Sequence, residues 1–224
     1  MHIPDGYLSP QTYTPLFGAF VVLAALAVKK TKEKFDTKMI PFLGMAASFS
    51  FLIMMFNVPI PGGSTGHAVG AAIISLLLGP WVAFVAVTVA LIIQALVFGD
   101  GGITAIGANC INMAFVMPFV AWYVFKFVRR ASQSLVRISV AAFLSAYVSI
   151  NVTAIITGIE FGIQPLIAKG ANGLPLYAPY PLSVAVPIMA LEHLLLFGFV
   201  EGIVTLLIFR YFFKHNQSII EVLK

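Results

Sequence analysis

Apolar residues run along this chain in long blocks separated by short polar or glycine- and proline-rich joints. Seven blocks approach the roughly 20 residues needed to cross roughly 30 Å of hydrocarbon, at roughly 11–28, 39–56, 67–79, 81–98, 103–127, 135–161 and 181–213. The pattern predicts an all-α integral membrane protein with seven transmembrane helices, built as a single domain over 1–224. No low-complexity segment, repeat or second domain interrupts it. The third block is short, and Gly79-Pro80 divides it from the fourth by a tight break rather than a loop.

Composition agrees with a bilayer protein: 60% of the side chains are hydrophobic and 9% charged, against roughly a quarter charged in soluble domains. The net charge of +5 does not signal nucleic-acid binding, because no soluble stretch is long enough to carry a basic surface. It is a topological signal instead, since short loops rich in Lys and Arg stay in the cytoplasm. Lys29, Lys30, Lys32, Lys34 and Lys38 follow the first block. Lys126, Arg129, Arg130 and Arg137 flank the fifth-to-sixth joint, and Arg210, Lys214 and Lys224 end the chain. Seven crossings place these three clusters on one side and leave only Lys169 on the other, which predicts the N-terminus outside and the C-terminus inside.

Ala25-Leu26-Ala27 resembles a signal-peptide cleavage site after an apolar run. However, a secretory signal carries its cations before that run, and Met1 to Thr14 contains none. The N-terminus is therefore expected to stay uncleaved and extracellular. Cys110, the single cysteine, lies inside an apolar block and is expected to be a buried structural thiol rather than part of a disulfide or thiolate centre.

The opening Met1-His2-Ile3-Pro4-Asp5-Gly6-Tyr7 carries the most distinctive chemistry. A histidine in second place lets one short peptide offer three nitrogens to one metal: the terminal amine, the His2 amide and the His2 imidazole. The fused five- and six-membered chelate rings lie in one plane, as square-planar Ni(II) or Cu(II) prefers, and these ions are acidic enough to displace an amide proton. One position in that plane stays open. The outer-side segment Asn57 to His67 contains Pro59, Pro61, Gly62, Gly63 and Gly66 and ends on a second histidine. Irregular backbone at membrane depth is tolerated only where protein buries it or a cavity adjoins it, and His67 there would be a natural fourth ligand. Residues 1–10 are thus a candidate extracellular metal-binding segment.

Met1-His2-Ile3-Pro4-Asp5-Gly6, Gly63-Ser64-Thr65-Gly66-His67, the stretch from Gln94 to Asn109, and Glu201-Gly202-Ile203-Val204-Thr205 together closely resemble the NikM/CbiM family. These are the substrate-specific (S) components of nickel and cobalt energy-coupling-factor (ECF) transporters in the prokaryotic cell membrane. The resemblance spans nearly the whole chain. It implies a six-helix S-component core plus one added N-terminal helix, with Met1, His2 and His67 as metal ligands. It also implies a transmembrane coupling subunit, cytoplasmic ATP-binding subunits and often a small accessory membrane subunit as partners. Ni(II) is the expected transported ligand, with Co(II) as the alternative.

Asp5, Ser64, Thr65, Asp100 and Asn109 fall near the outer side and are candidates for holding the ligands. Glu192, His193 and Glu201 form a deeper polar group in the last block, where ionisable residues are paired or functional. Gly44, Ala46, Ala47 and Ser48 make the second block a candidate docking surface for the coupling subunit, because small residues let helices approach closely in lipid. No Gly-x-x-x-x-Gly-Lys sequence is present, so ATP hydrolysis is expected in a partner and this chain is not expected to be an enzyme. Two rivals stay open at this stage. One is an intramembrane serine hydrolase pairing Ser64 with His193, suggested by Gly62-Gly63-Ser64-Thr65-Gly66. The other is a self-sufficient secondary metal transporter.

Overall fold

A helix lets a single segment satisfy its own backbone polar groups in hydrocarbon, and each apolar block of this chain contains one. The computed structural model describes residues 1–34, 39–60, 64–130, 132 and 134–215. Lys38, Pro61, Gly62, Gly63 and Lys224, which entered the charge and motif readings, lie outside the described residues. Helix α1 spans Pro10–Lys34 and α2 Ile40–Met54. A short antiparallel hairpin of β1 (Val58–Ile60) and β2 (Ser64–Gly66) then leads to α3 (Ala71–Leu78) and α4 (Pro80–Ile93). Helix α5 (Ile106–Asn109) runs into α6 (Met117–Arg129), followed by α7 (Leu135–Gly162), α8 (Gln164–Ile167), α9 (Leu182–Glu192) and α10 (Gly198–His215). Three π-helical stretches join these pieces: Gln94–Phe98 after α4, Cys110–Val116 between α5 and α6, and His193–Phe197 between α9 and α10.

Among the described residues, five helical rods are long and apolar enough to cross a membrane, and Ile40–Met54 is a shorter apolar helix. The third block departs from expectation. Its helix begins at Ala71 rather than near His67 and is 8 residues long, about 12 Å at 1.5 Å per residue. Two features delay its start. Gly70 adopts φ 73°, outside helical geometry, and the Glu201 carboxylate accepts hydrogen bonds from the amides of Val69 (2.8 Å) and Gly70 (3.0 Å). A carboxylate at a helix N-terminus satisfies donors that have no partner within the helix and complements its dipole. Glu201, 0% exposed on α10, therefore fixes the backbone just after His67. This is a structural role for a residue of the deeper polar group.

Helix α7 is the centre of the bundle and packs against α6, α9 and α10. Its contact with α9 depends on glycine: a Cβ at Gly158 would lie 2.9 Å from the Val186 Cα, and one at Gly162 2.6 Å from the Leu182 Cα. This is the close approach that small residues four apart allow in lipid. Helix α2 carries its small residues on two faces. Successive side chains turn about 100°, so Gly44 and Ser48 share an exposed stripe with Met45 and Leu52, Ala46 is buried and Ala47 half-buried. The four-residue patch expected from the sequence thus reduces to Gly44 and Ser48 as a lateral surface. Cys110 is fully buried, as its setting implied.

Removing the Glu201 carboxylate leaves two buried amides without acceptors, each worth about 1–3 kcal/mol. Glu201→Ala should therefore lower the thermal unfolding midpoint of the detergent-purified protein clearly, and Glu201→Gln should recover part of the loss. An unchanged midpoint in Glu201→Ala would remove this carboxylate from the list of fold-defining contacts.

Candidate metal centre

The first five residues enter the bundle as a strand of irregular chain, outside any sheet, held by side chains far away in sequence. Asn109 grips Ile3 twice: its Oδ1 accepts from the Ile3 amide at 2.9 Å, and its Nδ2 donates to the Ile3 carbonyl at 3.1 Å. The Gly102 amide donates to the same carbonyl at 2.8 Å. Asp5 accepts from the Ile103 amide at 3.1 Å, the Thr104 amide at 2.9 Å and the Thr104 hydroxyl. From the hairpin, the Ser64 hydroxyl donates to the His2 carbonyl at 3.1 Å. Two glycines make this approach possible: a Cβ at Gly102 would collide with the Asp5 amide nitrogen, and one at Gly101 would press on the His2 ring at 3.3 Å. The polar residues picked out near the outer side thus converge on the N-terminal strand, except Thr65, whose hydroxyl is buried without a hydrogen-bond partner.

This anchoring places Met1 and His67 at 0% exposure and His2 at 3%. The two imidazoles stack with ring centroids 4.6 Å apart and planes inclined by 25°. His67 Nδ1 lies 3.1 Å from the Ala68 carbonyl oxygen, which requires the proton on that nitrogen and leaves a lone pair on Nε2. That Nε2, both ring nitrogens of His2, and the Nε2 and Oε1 of Gln94 are all buried without hydrogen-bond partners. Buried polar atoms are nearly always paired, so this group of orphans marks a place built for a further partner. Among the described residues, no three His, Cys, Asp or Glu side chains gather into a conventional metal cluster.

Electrostatics at the strand favours lone pairs over protons. Burial drives the Met1 amine down from 8.0 to about 4, against the pull of the Asp100 and Glu192 carboxylates. Burial, followed by the neighbouring amine, lowers His2 to about 3. Desolvation raises the Asp100 carboxyl, and the amine and the Asn57 amide oppose that rise. Asp100 Oδ1 lies 3.3 Å from His2 Nδ1, while Oδ2 accepts from Asn57 Nδ2 at 3.2 Å. Asp5 behaves differently: burial opposes its ionisation, but the hydrogen bonds from Thr104 and Ile103 prevail and hold it below the ordinary carboxylate range.

The proposed serine–histidine pair does not form. Ser64 is engaged with His2, and His193 Nδ1 pairs with the Met189 carbonyl at 2.8 Å. His193 and Gln94 each open a π-helical stretch, a device frequent at functional sites because it redirects side chains locally. Gln94 opens the family-resembling stretch that runs to Asn109, but the sequence reading gave it no role, because a lone glutamine in an apolar run points to no chemistry and a π turn has no composition signature. His215 lies away from this group, stacked on Tyr211 at the end of α10.

Residues 2–219 match the family model of the cobalt uptake substrate-specific transmembrane region, CbiM. The chain is 52% identical over 206 residues to the fused nickel transport protein NikMN of Rhodobacter capsulatus, covering 92% of this chain and 59% of that one. It therefore spans about three fifths of that relative's length. It is 26% identical over 233 residues to the cobalt transport protein CbiM of Clostridium tetani, covering 100% of this chain and 88% of that protein. A crystal structure of a truncated transition metal transporter superposes with a TM-score of 0.92 at 47% identity, covering 96% of this chain and 99% of the other.

Because a side chain at Gly102 has nowhere to go, Gly102→Ala should displace the N-terminal strand and reduce metal affinity by at least about tenfold. The helical bundle should persist. Titration calorimetry alongside circular dichroism separates the two effects, and undiminished affinity would show that the strand's placement does not set the site.

Proposed function

The chain belongs to the CbiM family of cobalt-uptake substrate-specific transmembrane proteins, and we propose that it captures Ni(II) at the extracellular face as the substrate-binding component of an ECF-type, ATP-driven importer. The carrying observation is the meeting of the buried N-terminus, His2 and His67 around unpartnered nitrogen atoms. The Met1 amine, the His2 amide and His2 Nδ1 supply three corners of a square plane, and His67 Nε2 supplies the fourth. The six-membered chelate ring requires Nδ1 of His2, and the Ala68 carbonyl leaves Nε2 of His67 free for the metal. The nickel transport name of a 52% identical relative supports the choice of ion. The cobalt name of the Clostridium tetani relative keeps Co(II) as the second reading, and Asp100 beside His2 Nδ1 could serve an ion that takes an additional ligand.

In this reading the seven helical segments cross or enter the bilayer, with the N-terminus outside and the cationic clusters inside. Transport energy comes from cytoplasmic ATP-binding subunits through a transmembrane coupling subunit, with a small accessory membrane subunit as a further partner. The exposed Gly44–Ser48 stripe of α2 is the docking surface for the coupling subunit.

Three outcomes test this reading. Ni(II) should bind with about one metal per chain and give the yellow-orange diamagnetic complex of square-planar geometry. His2→Ala, His67→Ala or a peptide extension before Met1 should each abolish stoichiometric binding, and His215→Ala should not. Full loading of the extended protein would exclude amine coordination.

The pH dependence has a definite sign. The amine and His2 are lowered to about 4 and about 3, so both are already neutral at pH 5–8 and do not compete as acids there. The amide proton is the one released, and affinity should rise about tenfold per pH unit across that range. Calorimetry in buffers of different ionisation enthalpy counts the protons. A release of about two or more at neutral pH would mean that the donors are protonated and exposed before binding.

Gly44→Leu and Ser48→Leu should impair co-purification with the coupling subunit while leaving nickel content unchanged. Undiminished association would assign that stripe to lipid.

A further inference from the structure

Gln94 is a fully buried amide in the site region that no ligand assignment uses. It is 0% exposed, both its polar atoms lack partners, and its side chain is close enough to the His2 imidazole to act on it electrostatically. Its placement is built into the backbone. The Gln94 carbonyl accepts from the amides of Gly99 and Asp100, the latter at 3.0 Å, which closes the π turn with Gly99 in the left-handed region at φ 68°. One turn therefore brings two side chains to the same ring. Asp100 lies beside Nδ1 at 3.3 Å, and the remaining ring nitrogen, Nε2, is itself buried and unpaired.

Resting on the four-nitrogen reading of the site, we propose that Gln94 is a positioning residue for metal capture, accepting the Nε2–H of His2 on its Oε1 and so holding the ring with Nδ1 toward the metal. A neutral imidazole carries one proton. Chelation through Nδ1 forces that proton onto Nε2, which in an apolar interior needs an acceptor, because a buried unpaired donor loses its hydrogen bond to water without replacement. A histidine bound to metal through one nitrogen is oriented by the hydrogen bond that its other nitrogen donates. An amide suits both stages of capture. Before the metal arrives, the carboxylate of Asp100 beside Nδ1 favours the proton there, and the Gln94 Nε2–H can face the bare Nε2. Turning the amide by 180° exchanges donor for acceptor.

The test is carried out on the full chain with its native N-terminus. Gln94→Met keeps the length and removes both hydrogen-bonding ends, and it should lower Ni(II) affinity about 10- to 100-fold. Gln94→Glu keeps an acceptor at the same reach and should recover most of that loss. Nitrogen-15 NMR of labelled histidine, feasible on a diamagnetic nickel complex, should show His2 protonated at Nε2 in the loaded wild type. In Gln94→Met the Nε2–H resonance should shift and its exchange with water should quicken. Wild-type affinity in Gln94→Met would overturn the proposal. So would a loss that Gln94→Glu does not repair or that leaves the His2 resonances unmoved, since either outcome describes a packing defect alone. His67→Ala is the separate control: retained stoichiometric nickel there would bring down the four-nitrogen reading itself, whatever Gln94 does.

Discussion

The structure depends on a two-point grip of one side-chain amide on one backbone unit, Asn109 on Ile3. A chain terminus is normally mobile and hydrated, and burying a charged amine in an apolar interior is prohibitive. The grip replaces the strand's hydrogen bonds to water with fixed ones at 2.9 and 3.1 Å, and burial in turn strips the proton from the amine. The contacts from Gly102, Asp5 and Ser64 extend this interaction. They tie the terminus to the loop before α5 on one side and to the hairpin on the other. Because α5 continues through a π-helical stretch into α6, the terminus is fastened to a membrane-length rod.

A second set of contacts fixes the histidine that meets the strand. Gly70 interrupts the helix, Glu201 reaches across from α10 to hold the Val69 and Gly70 amides, and a Cβ at Gly66 would collide with the Phe197 ring. His67 therefore sits on a backbone held from both ends by the α9–α10 rod. The two imidazoles stack because each is fixed by a different part of the bundle. On the proposed importer reading, a relative movement of those parts would separate the two imidazoles and so couple bundle deformation to metal release.

Much of this could be read from the sequence, for identifiable reasons. Long apolar runs have one solution in lipid, so α1, α2, α4, α6, α7 and α10 fall where the blocks do. The pairing of His2 with His67 followed from the sequence through a chelate that needs a histidine in second place. The start of α3 was not legible, because it depends on Glu201, more than a hundred residues away. The division of the α2 small residues needed the helix's rotation within the bundle, which the weak contrast among four small side chains does not reveal. The placement of Gln94 was not legible, because nothing in its apolar surroundings marks where a π-helical turn begins.

The same burial that prepares the donors creates a difficulty for a dication, and the residues around the site suggest how it is met. A divalent ion in a low-dielectric interior is tolerated only with compensating charge close by. On the four-nitrogen reading, displacing the His2 amide proton makes one ligand anionic, and Asp100 places a carboxylate 3.3 Å from His2 Nδ1. One amidate and one carboxylate balance a divalent cation without bringing a second acidic side chain into the plane. An ion unable to displace an amide proton leaves that balance incomplete. On that same reading the amide would act as a filter: hard cations such as Ca(II) and Mg(II), which are too weakly acidic toward amides and prefer oxygen ligands, gain nothing from a planar nitrogen set. Selectivity in this account comes less from the size of the site than from the requirement that the ion generate part of its own counter-charge.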